Sequence, residues 1–238
     1  IWGFGGLSNQ VSDAKKDSTE WETNFDRYSW NYKYNTGAVG LSHFIMLDDK
    51  SYLKSTLITS GTDRGGEQSI LDSEYSEIPE GNESYDQNKV ALNTIYTRKI
   101  NAKNSIKAGI IASMNFYDLE QSWRNESGTS IETLIKQNGE AITLQSFAQW
   151  NFHPLERLTI VTGLHYLAFT ENNTFSIEPR ASAKYNLNDK QSVSIGYGLH
   201  GQVQPLGVYF AQLNNSDGTI VMPNHDLGIS KSHHFVVG

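Results

Sequence analysis

The sequence predicts an all-β fold, an up-and-down antiparallel transmembrane β-barrel, of which this chain forms a partial barrel of about ten strands. Apolar and polar residues alternate along much of the chain, which is typical of strands with one polar face. Short polar turns alternate with long polar loops. Several strands reach roughly 12 residues, which suits a tilted membrane span of ~9–11 residues better than a soluble strand of ~5–6.

Alternation is clearest between Gln191 and His200, where Val193, Ile195, Tyr197 and Leu199 share one face. Small or polar residues occupy the other face. The same pattern marks strands at 105–117, 141–153 and 179–187. Less regular segments at 32–47, 51–62, 88–100 and 158–170 complete the set, and the first and last strands are expected to be incomplete.

The connections fall into two classes that alternate along the chain. Short turns are predicted at 47–50, 101–104, 154–157 and 188–190, and long polar loops at about 8–30, 63–87, 124–139 and 201–228. Only the link at 171–174 is short on the loop side. This segregation is typical of an outer-membrane barrel, with short periplasmic turns and long outer loops.

The amino-acid composition excludes several classes of function. The 238 residues include 26 acidic and 19 basic side chains, a net charge of −7, and no cysteine. An acidic balance argues against a nucleic-acid binder, which normally needs a basic face. The absence of cysteine excludes thiolate zinc clusters and cysteine nucleophiles. No apolar run approaches the ~18 residues of a membrane-spanning helix.

Aromatic residues cluster near both ends of the predicted strands. Those near the long loops are Trp30, Tyr32, Tyr34, Tyr117, Trp123, Tyr166 and Phe169, and those near the short turns are Phe44, Tyr52, Phe152 and Tyr185. Two such bands predict aromatic girdles at the two membrane interfaces. The alternative is that aromatic residues are simply favourable in strands.

One block resembles a known family. It runs from Phe175-Ser176-Ile177-Glu178-Pro179-Arg180 through residues 185–192 to Gly196-Tyr197-Gly198-Leu199-His200. The block resembles the barrel of TonB-dependent receptors from Bacteroidetes, and residues 33–53, 204–210 and 227–234 are similar to that family as well.

The resemblance implies a 22-stranded barrel in the bacterial outer membrane and import coupled to the TonB complex of the inner membrane. Residues 1–238 are then expected to be part of one transmembrane β-barrel domain, with the plug domain and the remaining strands absent. Expected partners are the TonB complex, reached through the missing N-terminal part, the lipid bilayer and a small-molecule, glycan or peptide ligand. A lipoprotein partner stays open, and no nucleic acid is expected.

No motif for chemistry is present. Hydrolase elbows, phosphate-binding glycine loops and zinc-protease motifs are all absent, so we expect no enzyme activity, no cofactor and no metal site. Trp21, Phe25 and Tyr28 in the first long loop are candidates for contacting a ligand by stacking. For Tyr28, anchoring at the membrane interface is an equally good interpretation. The acidic stretch 63–86 is interpreted as a solvated surface loop.

A second group of candidates is predicted to face the barrel lumen. It comprises Glu178, Arg180, Lys184, His165 and His200. Charges on the lipid side would cost ~2–4 kcal/mol at mid-membrane, so the alternation directs them inward. Hydrogen bonding to a plug is the role expected of Glu178, Arg180 and Lys184, together with Lys107, whereas His165 and His200 are interpreted as hydrogen-bonded lumen histidines.

The sequence therefore predicts a fragment of a TonB-dependent outer-membrane receptor that imports a scarce nutrient such as a siderophore, haem, a vitamin, a glycan or a peptide. The first alternative is a self-contained outer-membrane pore or adhesin barrel. The second is a soluble all-β carbohydrate-binding domain.

Overall fold

The computed structural model describes residues 1–215 and 217–238, and it is dominated by one antiparallel sheet of ten strands. Each strand pairs with the next along the chain, so the topology is an up-and-down meander and the predicted partial barrel of about ten strands is confirmed. The strands of the sheet are β1 (Trp2–Ser12), β2 (Tyr28–Asp48), β3 (Ser51–Leu71), β4 (Glu77–Lys99), β5 (Asn104–Arg124), β6 (Ile131–Leu155), β7 (Leu158–Phe169), β8 (Thr174–Asn188), β9 (Gln191–Gln202) and β12 (Ser230–Val237).

Short elements fill the two longest connections. Two 3₁₀ turns, Ser18–Glu20 and Asn24–Arg27, lie between β1 and β2. Helix α1 (Leu206–Tyr209) and a small hairpin of β10 (Leu213–Asn214) and β11 (Ile220–Val221) lie between β9 and β12. No helix in the described part of the chain is long and apolar enough to cross a membrane.

The segment 203–229, which we call the strap, folds back across one face of the sheet. We call that face the inner face. Tyr209 and Phe210 of the strap are fully buried against β5–β7. Hydrogen bonds hold the strap near both of its ends. The backbone N–H of Gln212 donates to the Leu134 carbonyl at 2.8 Å, and the Asn172 side chain donates to the Leu227 carbonyl at 2.7 Å.

The outer face carries a continuous apolar band. One row of it crosses seven strands in register, from β2 to β8: Leu41, Leu57, Leu92, Ala112, Leu144, Ala168 and Phe175. Leu41, Leu57 and Leu92 are about half exposed. An exposed apolar surface this wide is unusual for a soluble protein and typical of a face that meets lipid or a partner.

The strands extend further into the predicted loops than the sequence indicates. Residues 63–71 and 77–87 belong to β3 and β4, so only residues 72–76 connect these strands, and only 125–130 connect β5 to β6. The interpretation of 63–86 as an acidic loop is therefore wrong. Polar residues occupy both faces at this height, so the apolar alternation that reveals a strand is missing.

The aromatic residues near the long loops do not form a girdle. Cross-strand pairing places Trp30, Tyr32, Tyr34, Tyr117, Trp123 and Phe169 on the inner face, and only Tyr166 of the predicted set faces outward. At the short-turn end the outcome is mixed. Phe152 and Tyr185 face outward, whereas Phe44 and Tyr52 pair on the inner face with ring centres 5.0 Å apart.

Candidate functional site

The strap and the loop-side half of the inner face line a partly open cavity of about 500 Å³. Its sheet wall is polar and aromatic, and its strap wall, around Leu206 and Val208, is apolar. Gly207 brings the strap backbone close to the sheet, because a β-carbon there would lie 3.3 Å from Tyr85 and from Ile135. The cavity has the size and the mixed lining of a small-ligand pocket.

Polar side chains on the cavity wall are linked to one another. The Arg64 guanidinium pairs with Glu83, with an Nε–Oε1 distance of 3.1 Å, and lies 4.6 Å from the centre of the Tyr85 ring. The Tyr85 hydroxyl donates to Gln121 Oε1 at 3.0 Å. These contacts hold Arg64 and Tyr85 in one orientation, so the wall presents a preorganised surface with a charge-neutral Arg–Glu pair.

Two further tyrosines extend this wall onto β2. The rings of Tyr32 and Tyr34 are stacked with centres 6.4 Å apart, and Tyr34 pairs in register with Arg64. Arg64, Tyr85 and Gln121 were not predicted as site residues, because the stretch that contains Arg64 and Tyr85 was expected to be a loop. The alternation along β2 was a signal that could have found the tyrosines of this wall. Val39 and Leu41 are odd-numbered and face outward, so the even-numbered Tyr32 and Tyr34 of the same strand face inward.

The five predicted lumen-facing residues all occupy inner-face positions on β7, β8 and β9. His165 pairs in register with Glu178, and Arg180, Lys184 and His200 follow the same face. Arg180 and Lys184 line an open groove of about 780 Å³ together with His200 and Gln149. The structure therefore places these residues on one surface, and their part in transport stays a prediction.

Glu178 is the centre of this group. It is fully buried, and Oε2 accepts hydrogen bonds from His165 Nδ1 at 2.9 Å and from Arg180 Nη2 at 2.8 Å. His165 Nε2 in turn contacts Gln145 Oε1 at 3.2 Å. Among the residues that the structure describes, the second carboxylate oxygen, Oε1, has no hydrogen-bond partner. A buried charge is stabilised by such pairing, so the network orients Arg180 toward the groove.

The structure separates the three aromatic residues of the first long loop. Trp21 is held in place: its Nε1 donates to the Lys15 carbonyl at 2.7 Å and its ring packs against Tyr75. Phe25 is 73% exposed and its ring centre lies 6.3 Å from that of Tyr28. Phe25 and Tyr28 thus form an aromatic pair and Trp21 is fixed within the loop, and ligand contact by any of the three stays a prediction.

An ion pair closes this loop. Lys15 Nζ lies 2.6 Å from Asp26 Oδ1, and the backbone amides of Thr23 and Glu22 donate to Asp26 Oδ2. The hydrogen bond from Lys15 is the largest cause that lowers the pKa of Asp26 to about 2, followed by the Thr23 amide. Asp26 is therefore ionised over the whole neutral pH range, which favours its pairing with Lys15.

No group of three or more histidine or carboxylate side chains within residues 1–215 and 217–238 is arranged to hold a metal ion. Enzymatic activity is untested by this geometry.

Comparison with solved structures shows where the fold recurs. The chain is similar to a protein described as the RagAB peptide importer in the "closed-closed" state, with a TM-score of 0.55 and 12% sequence identity. The match covers 88% of this chain and 28% of that chain, so this chain spans little more than a quarter of its neighbour's length. At this identity the likeness shows a related β-sheet fold. A scan against protein-family models finds no match, and neither does a sequence search of curated proteins.

Proposed function

We propose that this chain is the barrel portion of an outer-membrane receptor that imports a scarce nutrient by energy-coupled transport. The observation that carries the proposal is the contrast between the two faces of one sheet. An apolar row crosses seven strands outside, while the inner face is polar and aromatic and carries the strap-covered cavity. A wall of this kind separates lipid from a solute-binding interior.

The structural neighbour supports the class of function. It is described as a peptide importer, and its fold extends over most of this chain. Among siderophores, haem, vitamins, glycans and peptides, a peptide is therefore the first ligand to test. The proposed partners are the bilayer, the TonB complex acting through a further part of the receptor, and a lipoprotein. No enzymatic step belongs to this function.

Cell fractionation tests the location and the larger receptor. An antibody against the folded β3–β4 hairpin should detect a band several times heavier than 26.7 kDa in the outer-membrane fraction. A 26.7 kDa band in the soluble fraction would overturn the proposal and favour a carbohydrate-binding domain. A band of the same mass in the outer membrane, forming ion-conducting pores in planar bilayers, would favour the self-contained barrel.

Growth tests the import step. Cells lacking the gene and cells lacking TonB should both grow poorly on a casein hydrolysate as the sole nitrogen source, while growing normally on ammonium. Restoring the gene should restore growth only when TonB is present. Normal growth of the gene-deletion strain on hydrolysate would exclude peptides as the ligand.

A further inference from the structure

The cavity beneath the strap is lined by one charged side chain and by several uncharged polar ones. Among the residues that the structure describes, Arg64 is the charged member of the lining. The uncharged polar members are Thr62, Tyr85, Gln87, Gln121 and Asn224. Lys89, the next inner-face residue of β4 after Gln87, and Glu132 of β6 lie outside the lining. The state of the Arg64 guanidinium therefore sets the charge of this cavity.

Glu83 neutralises Arg64 from outside the cavity lining. Nη2 of Arg64 donates to Glu83 Oε2 at 3.1 Å, and Nε lies 3.1 Å from Oε1. The Glu83 side chain is 11% exposed, whereas the Arg64 side chain is 42% exposed and lines the cavity. The guanidinium therefore reaches the ligand space with its charge already balanced by a more deeply buried carboxylate.

This arrangement favours an uncharged ligand group over a charged one. A ligand carboxylate would lose its hydration on entering, would meet in Arg64 a cation that is already paired, and would be repelled by Glu83. A ligand ammonium group would be repelled by Arg64. An amide or hydroxyl group avoids these costs, because the amides of Gln87, Gln121 and Asn224 can both donate and accept hydrogen bonds.

We propose that Glu83 is a specificity-determining residue of this cavity, which takes an uncharged amide or hydroxyl side chain of a peptide ligand and rejects acidic side chains. The identity of the ligand as a peptide rests on the proposed function. The preference for an uncharged side chain rests on the placement of the ion pair, with Arg64 in the lining and Glu83 outside it. Selection of this kind depends on an unfavourable charge as well as on favourable contacts.

Peptide retention by the native protein tests this preference. The tagged full-length protein that contains this chain is purified from its source membranes, incubated with a casein hydrolysate and washed, and the retained peptides are identified by mass spectrometry. Peptides rich in Gln, Asn, Ser and Thr should be enriched at least about tenfold over acidic ones, because like charges brought together are strongly unfavourable. Retention of acidic peptides to the same extent, or of no peptide, would overturn the proposal.

Glu83→Gln should reverse the preference, because Arg64 then offers an unpaired guanidinium to a ligand carboxylate. Acidic peptides should become enriched at least about tenfold relative to the unaltered protein. Glu120→Gln is the matched control, since Glu120 also belongs to an ion pair, with Lys136, but lies on the outer face. The same retained peptides in the unaltered protein and in a folded Glu83 variant would contradict the role of Glu83.

Two variants of Arg64 show whether the ion pair itself selects the ligand. Arg64→Gln leaves Glu83 unpaired, so retention should shift toward basic peptides, which tests the pair even if Glu83→Gln does not fold. The double variant Arg64→Gln, Glu83→Gln removes both charges and should retain uncharged peptides again. Continued retention of acidic peptides by the double variant would place the anion on another cation, such as Lys89, and would exclude Arg64 as its partner.

Import and charge selection fail separately. Normal growth of the gene-deletion strain on hydrolysate, with the retention shift of Glu83→Gln intact, would remove the import proposal alone. TonB-dependent growth with a set of retained peptides that Glu83→Gln leaves unchanged would remove only the role of Glu83.

Discussion

Gly201 lies against the buried carboxylate of Glu178, so close that a β-carbon at residue 201 would overlap Oε1. The same β-carbon would lie 3.2 Å from Ser176 Oγ and 3.0 Å from Ile229 in the strap. Residue 201 is therefore the point where β8, the end of β9 and the base of the strap meet. The absence of a side chain there is what lets the strap begin its return across the inner face.

Gly201→Ala should destabilise the fold by about 1–3 kcal/mol, because the new methyl group must displace a buried carboxylate that is held by His165 and Arg180. The measurement is urea unfolding of the refolded protein in detergent. Gly196→Ala is the matched control, since a β-carbon there would meet nothing closer than 3.6 Å. Equal stability of the two variants would mean that Glu178 has room to move.

Phe210→Ala should loosen the strap, because the ring is buried and lies 5.2 Å from the centre of Tyr117. A truncation of this kind costs about 3–5 kcal/mol in a packed core. We expect faster proteolytic cleavage within 203–229, with the sheet left intact. Leu213→Ala serves as control because Leu213 is exposed. Unchanged cleavage in the Phe210 variant would show that hydrogen bonds alone hold the strap.

The loop between β1 and β2 should open in acid. The pKa of Asp26 is lowered to about 2 in the folded loop, from 3.8 for the free side chain. Stability from this lowered pKa is fully present above about pH 4 and is lost as the pH falls toward 2. The fluorescence of Trp21, in a variant whose other tryptophans are phenylalanine, should change over this interval.

Lys15→Gln is the control for that titration. Removing the hydrogen bond from Lys15 returns the pKa of Asp26 toward its ordinary value, so the Trp21 transition should move up in pH. A transition at the same pH in both proteins would mean that the Thr23 and Glu22 amides control the carboxylate.

Leu92→Arg should prevent efficient insertion into phospholipid vesicles, because Leu92 lies in the outer apolar row. An arginine on the lipid face costs about 2–4 kcal/mol near mid-membrane. Asn93→Arg changes the adjacent inner-face position and should insert normally. The assay is the heat-dependent shift in gel mobility after refolding into vesicles. If the two variants insert equally, the outer face does not meet lipid.

The parts of the fold that the sequence predicts well are those at the height of the outer apolar band. The alternation of Val193, Ile195, Tyr197 and Leu199 is visible because one face meets an apolar surface and the other does not. The same alternation predicts about ten strands, and the sheet has ten. Above that height polar residues occupy both faces of the sheet. Asp63 and Arg64 lie in β3, but apolar and polar residues do not alternate around them, so the strand is not visible in the sequence.

The same difference separates the site residues that the sequence predicts from those that it does not. Glu178, Arg180 and Lys184 were predicted to face inward from their regular alternation with Ile177, Pro179 and Ala181. The cavity wall of Arg64, Tyr85 and Gln121 was missed, because it depends on two strands continuing beyond the apolar band and on a strap that returns from far along the chain. The alternation of apolar and polar residues within a strand does not predict a contact with a segment far along the chain.

The length of β3 and β4 has an immunological consequence. Strands of 21 and 23 residues extend about 70 Å, more than twice the ~30 Å of a hydrocarbon core, and they are joined by the short turn 72–76. If the chain lies in the outer membrane as proposed, the part that projects from the cell is a stiff, pleated hairpin and not a flexible loop. Antibodies and bacteriophages would recognise side chains drawn from neighbouring strands, so a linear peptide from this region would make a poor immunogen for intact cells.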